Sequence, residues 1–142
     1  MGTLEKLKPL ALLLLRCALG IIFISHGLPK LQHMSNTVQF MSRLGFPSYF
    51  AYIAGVLEVF GGCLLIVGLF TRVIGLLLAG EIVIALFKVR LPQGSIYAVK
   101  NYELEMVLAA AAFALVALGA GSISLDQPIF GKARAKPARI KS

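Results

Sequence analysis

Long apolar runs separated by short polar stretches dominate the pattern of hydrophobic and polar positions along this chain. Four such runs cover residues 9–31, 48–70, 71–90 and 102–123. Each is close to the ~20 residues that a helix needs to cross ~30 Å of hydrocarbon. The alternation typical of membrane β-strands is absent, and a helix satisfies its own backbone amides in lipid. The pattern therefore predicts an all-α fold, a bundle of four transmembrane helices.

Turn-forming residues mark the ends of these runs and divide the chain. Glycine and proline in GFP (45–47) precede the second run, and GLFTR (68–72) joins the second and third runs as a tight helical hairpin. The basic, proline-broken stretch 128–142 follows the fourth run. We therefore expect a transmembrane domain over 1–127 and a disordered cytoplasmic tail over 128–142.

The first loop, 32–46, is longer than a turn requires. Val38, Met41 and Leu44 recur at a spacing of three residues. That spacing predicts a short helix lying in the membrane interface, and a plain polar connector is the alternative.

Composition supports a membrane protein and removes other classes. The chain has 142 residues, 58% hydrophobic and 14% charged, and a soluble domain of this length could not bury so much apolar surface. The net charge of +8 is carried at the ends of the runs and in the tail, so we expect a lipid bilayer as partner and no nucleic acid. Cys17 and Cys63 lie inside apolar runs, and no CxxC or metal-ligand spacing accompanies them.

The distribution of basic residues predicts the orientation in the membrane. Eight lysines and arginines flank the runs on the side of the two termini, and five flank them on the other side. The side richer in basic residues is usually cytoplasmic. We expect a multi-pass protein of the cell (inner) membrane with both termini in the cytoplasm.

Three charged residues, Arg16, Glu58 and Glu81, lie within apolar runs. A charge at the bilayer centre costs at least ~2.5–3.5 kcal/mol on insertion scales, so these side chains are expected to face the bundle interior. Arg16 would pair there with a carboxylate, and one of the two acids would hold or share a proton. A purely structural pair that fixes helix register explains the same residues equally well.

A second polar group is expected at the outer ends of the helices. His26 and Lys30 end the first run, and Glu103 and Glu105 begin the fourth on the same predicted side. Because histidine titrates near neutrality, a His–Glu pair there could move protons. The plainer interpretation places His26 at the headgroups, Glu103 at an exposed helix start, and Lys30 and Arg72 as interface anchors.

Several short motifs, taken in order, resemble those of one family. They are LLRCALGIIFISHG (14–27), HGLPKL (26–31), GFP (45–47), LEVFGGCLLIVGLFTR (57–72), Glu105, and GAGSISLD (119–126), which ends in Asp126. The chain thus resembles the DoxX family of small four-span membrane proteins. The resemblance implies a quinone- or thiol-linked oxidoreductase subunit that works with a soluble or membrane redox partner. The motif positions carried over are Arg16, His26, Lys30, Glu58, Arg72, Glu81, Glu105 and Asp126.

The expected function is a membrane redox subunit. Glu58, His26 and Glu105 are the candidate catalytic residues, which would exchange protons with a quinone. Ligand binding or a structural polar core is expected for Arg16, Glu81, Lys30, Arg72 and Asp126. We expect no covalently bound cofactor and no metal. A small proton-coupled transporter, which would need a homo-oligomer, and a non-catalytic scaffold of a redox complex are the alternatives.

Overall fold

A computed structural model describes residues 2–93 and 99–131. Every regular element within these ranges is helical, which confirms the all-α prediction for this part of the chain. Residues 94–98 of the third loop and 132–142 of the predicted tail lie outside the described residues. The α-helices are α1 (Gly2–Glu5), α2 (Lys8–Gln32), α3 (Met34–Arg43), α4 (Tyr49–Val67), α5 (Thr71–Ala85), α6 (Glu103–Leu118) and α7 (Asp126–Phe130).

Helix lengths differ from one another more than the four apolar runs of the sequence do. The stretch Gly2–Gln32 and α4 are long and apolar enough to cross a membrane. Helix α5 has 15 residues and continues as a π-helical turn, Leu86–Arg90, so the third run is helical throughout. Helix α6 has 16 residues and ends at Leu118, because Gly119 (φ +78°) leaves helical geometry there. Four membrane crossings therefore stay a prediction.

The first loop does form a helix, as its apolar spacing predicts. Helix α3 covers Met34–Arg43, and the left-handed Gly45 (φ +84°) follows it. The position of α3 in the membrane interface stays a prediction.

Glycines let the backbones of α2 and α4 come into direct contact. A Cβ atom on Gly62 would lie 2.7 Å from the carbonyl oxygen of Gly20, and one on Gly27 would lie 2.8 Å from Cβ of Glu58. One on Gly55 would lie 2.7 Å from Leu31. Close approach through small residues is the usual way in which membrane helices pack. The glycines near Glu58 thus permit close packing of α2 against α4.

The interior is apolar, and so is the outer surface. The buried cluster includes Leu19, Phe23, Leu65, Leu78 and Leu115. Large apolar side chains also point outward, with Phe60, Phe87 and Phe113 exposed by 61–62%. Because a soluble protein rarely exposes so many large apolar groups, this surface is suited to lipid.

The turn between α4 and α5 is held from a distant part of the chain. Gly68 (φ +74°) and Phe70 (φ +52°) shape this turn, which confirms the predicted hairpin. The carboxylate of Asp126 accepts hydrogen bonds from the amides of Phe70 (2.7 Å) and Thr71 (2.9 Å). It thereby caps α5, since Asp satisfies the free amides at a helix N-terminus.

Candidate functional site

A cavity of about 710 Å³ lies at the end of the bundle next to α3. Helices α2 to α6 all contribute to its walls, which are mainly apolar, with Phe40, Leu57 and Leu77 among them. We call it the α3-end cavity. The charged or titratable residues that line it are His26, Lys30, Glu58, Glu81, Lys88, Arg90 and Glu105. All three candidate catalytic residues of the sequence analysis thus lie at one cavity.

Glu58 is held in the cavity wall by Lys30. The Lys30 Nζ atom lies 2.6 Å from Glu58 Oε1, and the Glu58 side chain is only 3% exposed. Gly27 precedes Lys30 by one turn of α2 and brings α2 against Glu58, so the backbone contact places the lysine. The second oxygen, Glu58 Oε2, is buried and has no hydrogen-bond partner in the described part of the chain. This oxygen is free to accept a bond from a ligand.

Glu81 enters the cavity from α5 without a cation of its own. Its Oε2 atom is buried and lacks a hydrogen-bond partner within the described ranges. Glu58 and Lys30 are both near enough to act on it electrostatically, but Lys30 is already bonded to Glu58. A buried polar atom without a partner is destabilising by about 1–3 kcal/mol, which marks this position as one that a ligand or water would satisfy.

Glu105 and His26 lie at the cavity without pairing with each other. Arg90 Nε donates to Glu105 Oε1 at 2.6 Å, and the Glu105 side chain is 12% exposed. The predicted His–Glu pair was therefore wrong for Glu105. Arg90, at the end of the π-helical turn that follows α5, is bonded to this carboxylate instead. His26 is exposed at the same cavity.

Arg16 does not meet Glu58 or Glu81, so the predicted pairing was wrong. Its side chain is fully buried and donates from Nη2 to the carbonyl oxygen of Ile123. The helix register explains the difference. Glu58 lies level with Gly27, eleven residues further along α2 than Arg16. At ~1.5 Å per residue that is about 16 Å, too far for contact.

Arg16 instead belongs to a second polar group at the α4–α5 turn. A Cβ atom on Gly68 would overlap the Arg16 guanidinium, and Asp126 lies within electrostatic reach of it. Arg72 donates from Nη1 to the Val116 carbonyl oxygen at 2.8 Å. We call Arg16, Gly68, Arg72 and Asp126 the hairpin-end cluster. The polar residues of the sequence analysis thus divide between two ends of the molecule.

Comparison with known proteins gives the family. The DoxX family model matches residues 11–91, more than half of the chain. This chain belongs to the DoxX family. The matched region of this DoxX protein contains Lys30, Glu58 and Glu81, whereas Glu105 and Asp126 follow it.

Curated relatives of the DoxX protein are bacterial. "Putative oxidoreductase CatD" of Bacillus subtilis is 35% identical over 89% of this chain and 92% of its own length. "Inner membrane protein YphA" of Escherichia coli is 42% identical over 49% of this chain and 51% of its own length. "Inner membrane protein YqjF" of the same organism is 29% identical over 87% and 95%. No solved structure matches the chain.

Two contributors to the cavity of this DoxX protein were missed from the sequence. Arg90 and Lys88 were used only to predict orientation, yet both line the cavity. Their position at the end of the third run, opposite the acids that begin the fourth, is the signal that could have identified them. Among the described residues, no group of three or more His, Cys, Asp or Glu could hold a metal ion.

Proposed function

We propose that this DoxX-family membrane protein is the membrane subunit of an oxidoreductase and binds a quinone in the α3-end cavity. The observation that carries the proposal is the pair of buried, unpartnered oxygens, Glu58 Oε2 and Glu81 Oε2, at a mainly apolar cavity. The volume of about 710 Å³ falls within the ~300–1,000 Å³ typical of small-molecule sites. An apolar ring fits such a lining, and the hydroxyl groups of its hydroquinone form can donate hydrogen bonds to carboxylate oxygens.

The proposal includes four membrane crossings with both termini in the cytoplasm. Helices α2 and α4 have the length and hydropathy for two crossings. Helix α5 with its π-helical extension, and α6, would supply two shorter ones. In this orientation the hairpin-end cluster lies towards the cytoplasm, and the α3-end cavity opens in the outer half of the membrane.

Residues of this chain would bind the quinone and handle its protons. Reduction of a quinone to a hydroquinone consumes two electrons and two protons. Glu58 and Glu81 hold the polar end of the ligand, and the exposed His26 and the Glu105–Arg90 pair line the same cavity. The sequence has no dinucleotide-binding fingerprint, so a partner protein that carries a redox cofactor supplies the electrons.

Ligand titration tests this proposal. The purified chain in lipid nanodiscs is titrated with menadione, a soluble naphthoquinone, and with a short-chain ubiquinone. We expect saturable binding of both quinones and of menadiol, the hydroquinone form of menadione. Glu58→Gln should weaken menadiol binding at least tenfold, since the carboxylate accepts a charge-assisted bond from a hydroxyl group of the hydroquinone. Glu103→Gln is the matched control because Glu103 is exposed and does not line the cavity. Absence of binding, or equal binding by both variants, contradicts the proposal.

A proton-coupled transporter is the second candidate. It is favoured by one observation, a carboxyl group on α5, that of Glu81, which has a buried oxygen and no ion-pair partner among the described residues. Proteoliposomes with a trapped pH-sensitive dye separate the two functions. Substrate-driven proton flux that Glu81→Gln abolishes supports transport, and quinone binding without flux supports the redox subunit.

A further inference from the structure

Glu81 differs from the other two carboxyl groups of the α3-end cavity in its electrostatic partners. Glu58 is bonded to Lys30, and Glu105 is bonded to Arg90. Neither ion pair of the described residues includes Glu81, although its Oε2 atom is buried. The cavity therefore holds two neutralised acids and one acid without a countercharge.

The surroundings of Glu81 disfavour a second negative charge. Glu58 on α4 lines the same cavity as Glu81, and Lys30 on α2 is already bonded to Glu58. The remaining charged or titratable groups of the cavity are His26 on α2, Lys88 and Arg90 beyond the end of α5, and Glu105 on α6. Since His26, Lys88 and Arg90 are exposed, solvent screens them better than the buried Glu81 oxygen. A neutral, protonated Glu81 avoids both the desolvation of a charge and the repulsion by Glu58.

A protonated carboxyl group changes what the cavity recognises. An ionised carboxylate only accepts hydrogen bonds, whereas a protonated one has an O–H group to donate. The Glu81 side chain lines the cavity, so its donor has a ligand as the available partner.

We propose that Glu81 holds a proton at neutral pH and donates a hydrogen bond to a carbonyl oxygen of the bound ligand. Glu58, bonded to Lys30 through Oε1, can accept through Oε2 from a donor group of the ligand, so the two acids recognise opposite kinds of polar atom. The cavity accordingly selects apolar ring compounds that carry a carbonyl acceptor. This inference rests on the proposed quinone site and names Glu81 as the residue that donates a hydrogen bond to a quinone oxygen.

Infrared spectroscopy measures the protonated carboxyl group directly. The chain in nanodiscs is compared in H₂O and D₂O at neutral pH, where the C=O stretch of a protonated carboxyl group shifts on deuteration. We expect this band in the wild-type protein and its loss in Glu81→Gln. Glu103→Gln, at an exposed position, keeps the band and serves as the control. Glu81→Asp retains a carboxyl group and should move the band to another frequency. This variant distinguishes loss of the carboxyl group from misfolding as the cause of a missing band in Glu81→Gln.

Ligand addition then tests the donated bond. Menadione lowers the frequency of the band because its carbonyl oxygen accepts the bond, whereas 2-methylnaphthalene, the same ring without carbonyl groups, leaves it in place. A band that survives in Glu81→Gln, or that menadione does not move although it binds, overturns the inference and leaves the quinone site standing. Absence of menadione binding overturns the proposed function itself.

Discussion

Lys30 Nζ lies 2.6 Å from Glu58 Oε1, and this ion pair joins α2 to α4 at the wall of the α3-end cavity. The contact depends on Gly27, whose missing side chain lets α2 lie against Glu58. The pair fixes one oxygen of Glu58 and leaves the other for a ligand. Glu58 therefore both joins α2 to α4 and lines the proposed ligand site.

Removal of the lysine should destabilise the protein. Lys30→Met leaves Glu58 buried without its cation, and loss of one partner of a buried pair costs about 3–5 kcal/mol. Because Lys30 is 31% exposed, we expect a decrease near ~3 kcal/mol in the free energy of unfolding. Thermal unfolding in detergent measures it.

Two comparisons give this prediction its controls. Lys88→Met removes an exposed lysine at the same cavity and should have little effect on stability. The double variant Lys30→Met, Glu58→Gln should be more stable than Lys30→Met alone, because no charge stays unpaired. If Lys30→Met and Lys88→Met unfold alike, the pair does not stabilise the bundle.

Packing between α2 and α4 should be sensitive to one methyl group. A Cβ atom at Gly62 would lie 2.7 Å from the backbone oxygen of Gly20, so Gly62→Ala must push the two helices apart. We expect a loss of about 1–3 kcal/mol in unfolding free energy, as overpacking typically causes. The same substitution at Gly80 meets nothing within 4 Å and is the matched control. Equal stability of the two variants would show that the helices do not approach this closely.

The hairpin-end cluster should affect stability without affecting ligand binding. Asp126→Asn weakens the cap on the Phe70 and Thr71 amides and removes the negative charge near Arg16. We expect a loss of about 0.5–2 kcal/mol, the range for helix caps, and an unchanged menadione affinity. Glu5→Gln, an exposed acid on α1, is the control for stability. Impaired menadione binding in a folded Asp126→Asn protein would mean that the two polar groups act together.

The long apolar runs predicted the main helices because a helix satisfies its own backbone amides in lipid. The GLFTR turn was also predictable, since Gly68 adopts the left-handed conformation that glycine favours. The number of membrane crossings could not be settled in this way: α2 and α4 have the length and hydropathy for a crossing, whereas α5 and α6 are shorter than the apolar runs that contain them.

The partners of the buried charges could not be predicted from the sequence. The apolar runs show that Arg16, Glu58 and Glu81 belong inside the bundle, but they do not show how the helices are aligned along one another. The glycine contacts set the register, in which Glu58 lies beside Gly27 and Lys30 rather than Arg16. The sequence placed Lys30 in a polar group at the end of the first run, or at the membrane interface as an anchor. Only the folded helix pair shows that its side chain reaches Glu58.

Membrane orientation gives a further prediction. Basic residues favour a cytoplasmic C-terminus, so a C-terminal green fluorescent protein should fluoresce and a C-terminal alkaline phosphatase should be inactive in bacterial cells. Both fusions are compared at equal expression. An active phosphatase would place the C-terminus outside and would put the α3-end cavity on the cytoplasmic side.

The central claim, that the α3-end cavity holds the quinone, is tested most directly by photolabelling. An azido-naphthoquinone is irradiated with the nanodisc-embedded chain, and mass spectrometry locates the labelled residues. We predict labels on cavity residues of α3, α4 and α5, such as Phe40, Leu57 and Leu77, that excess menadione prevents. Labels confined to the lipid-facing surface or to the hairpin-end cluster, or labels that menadione does not reduce, would contradict the account.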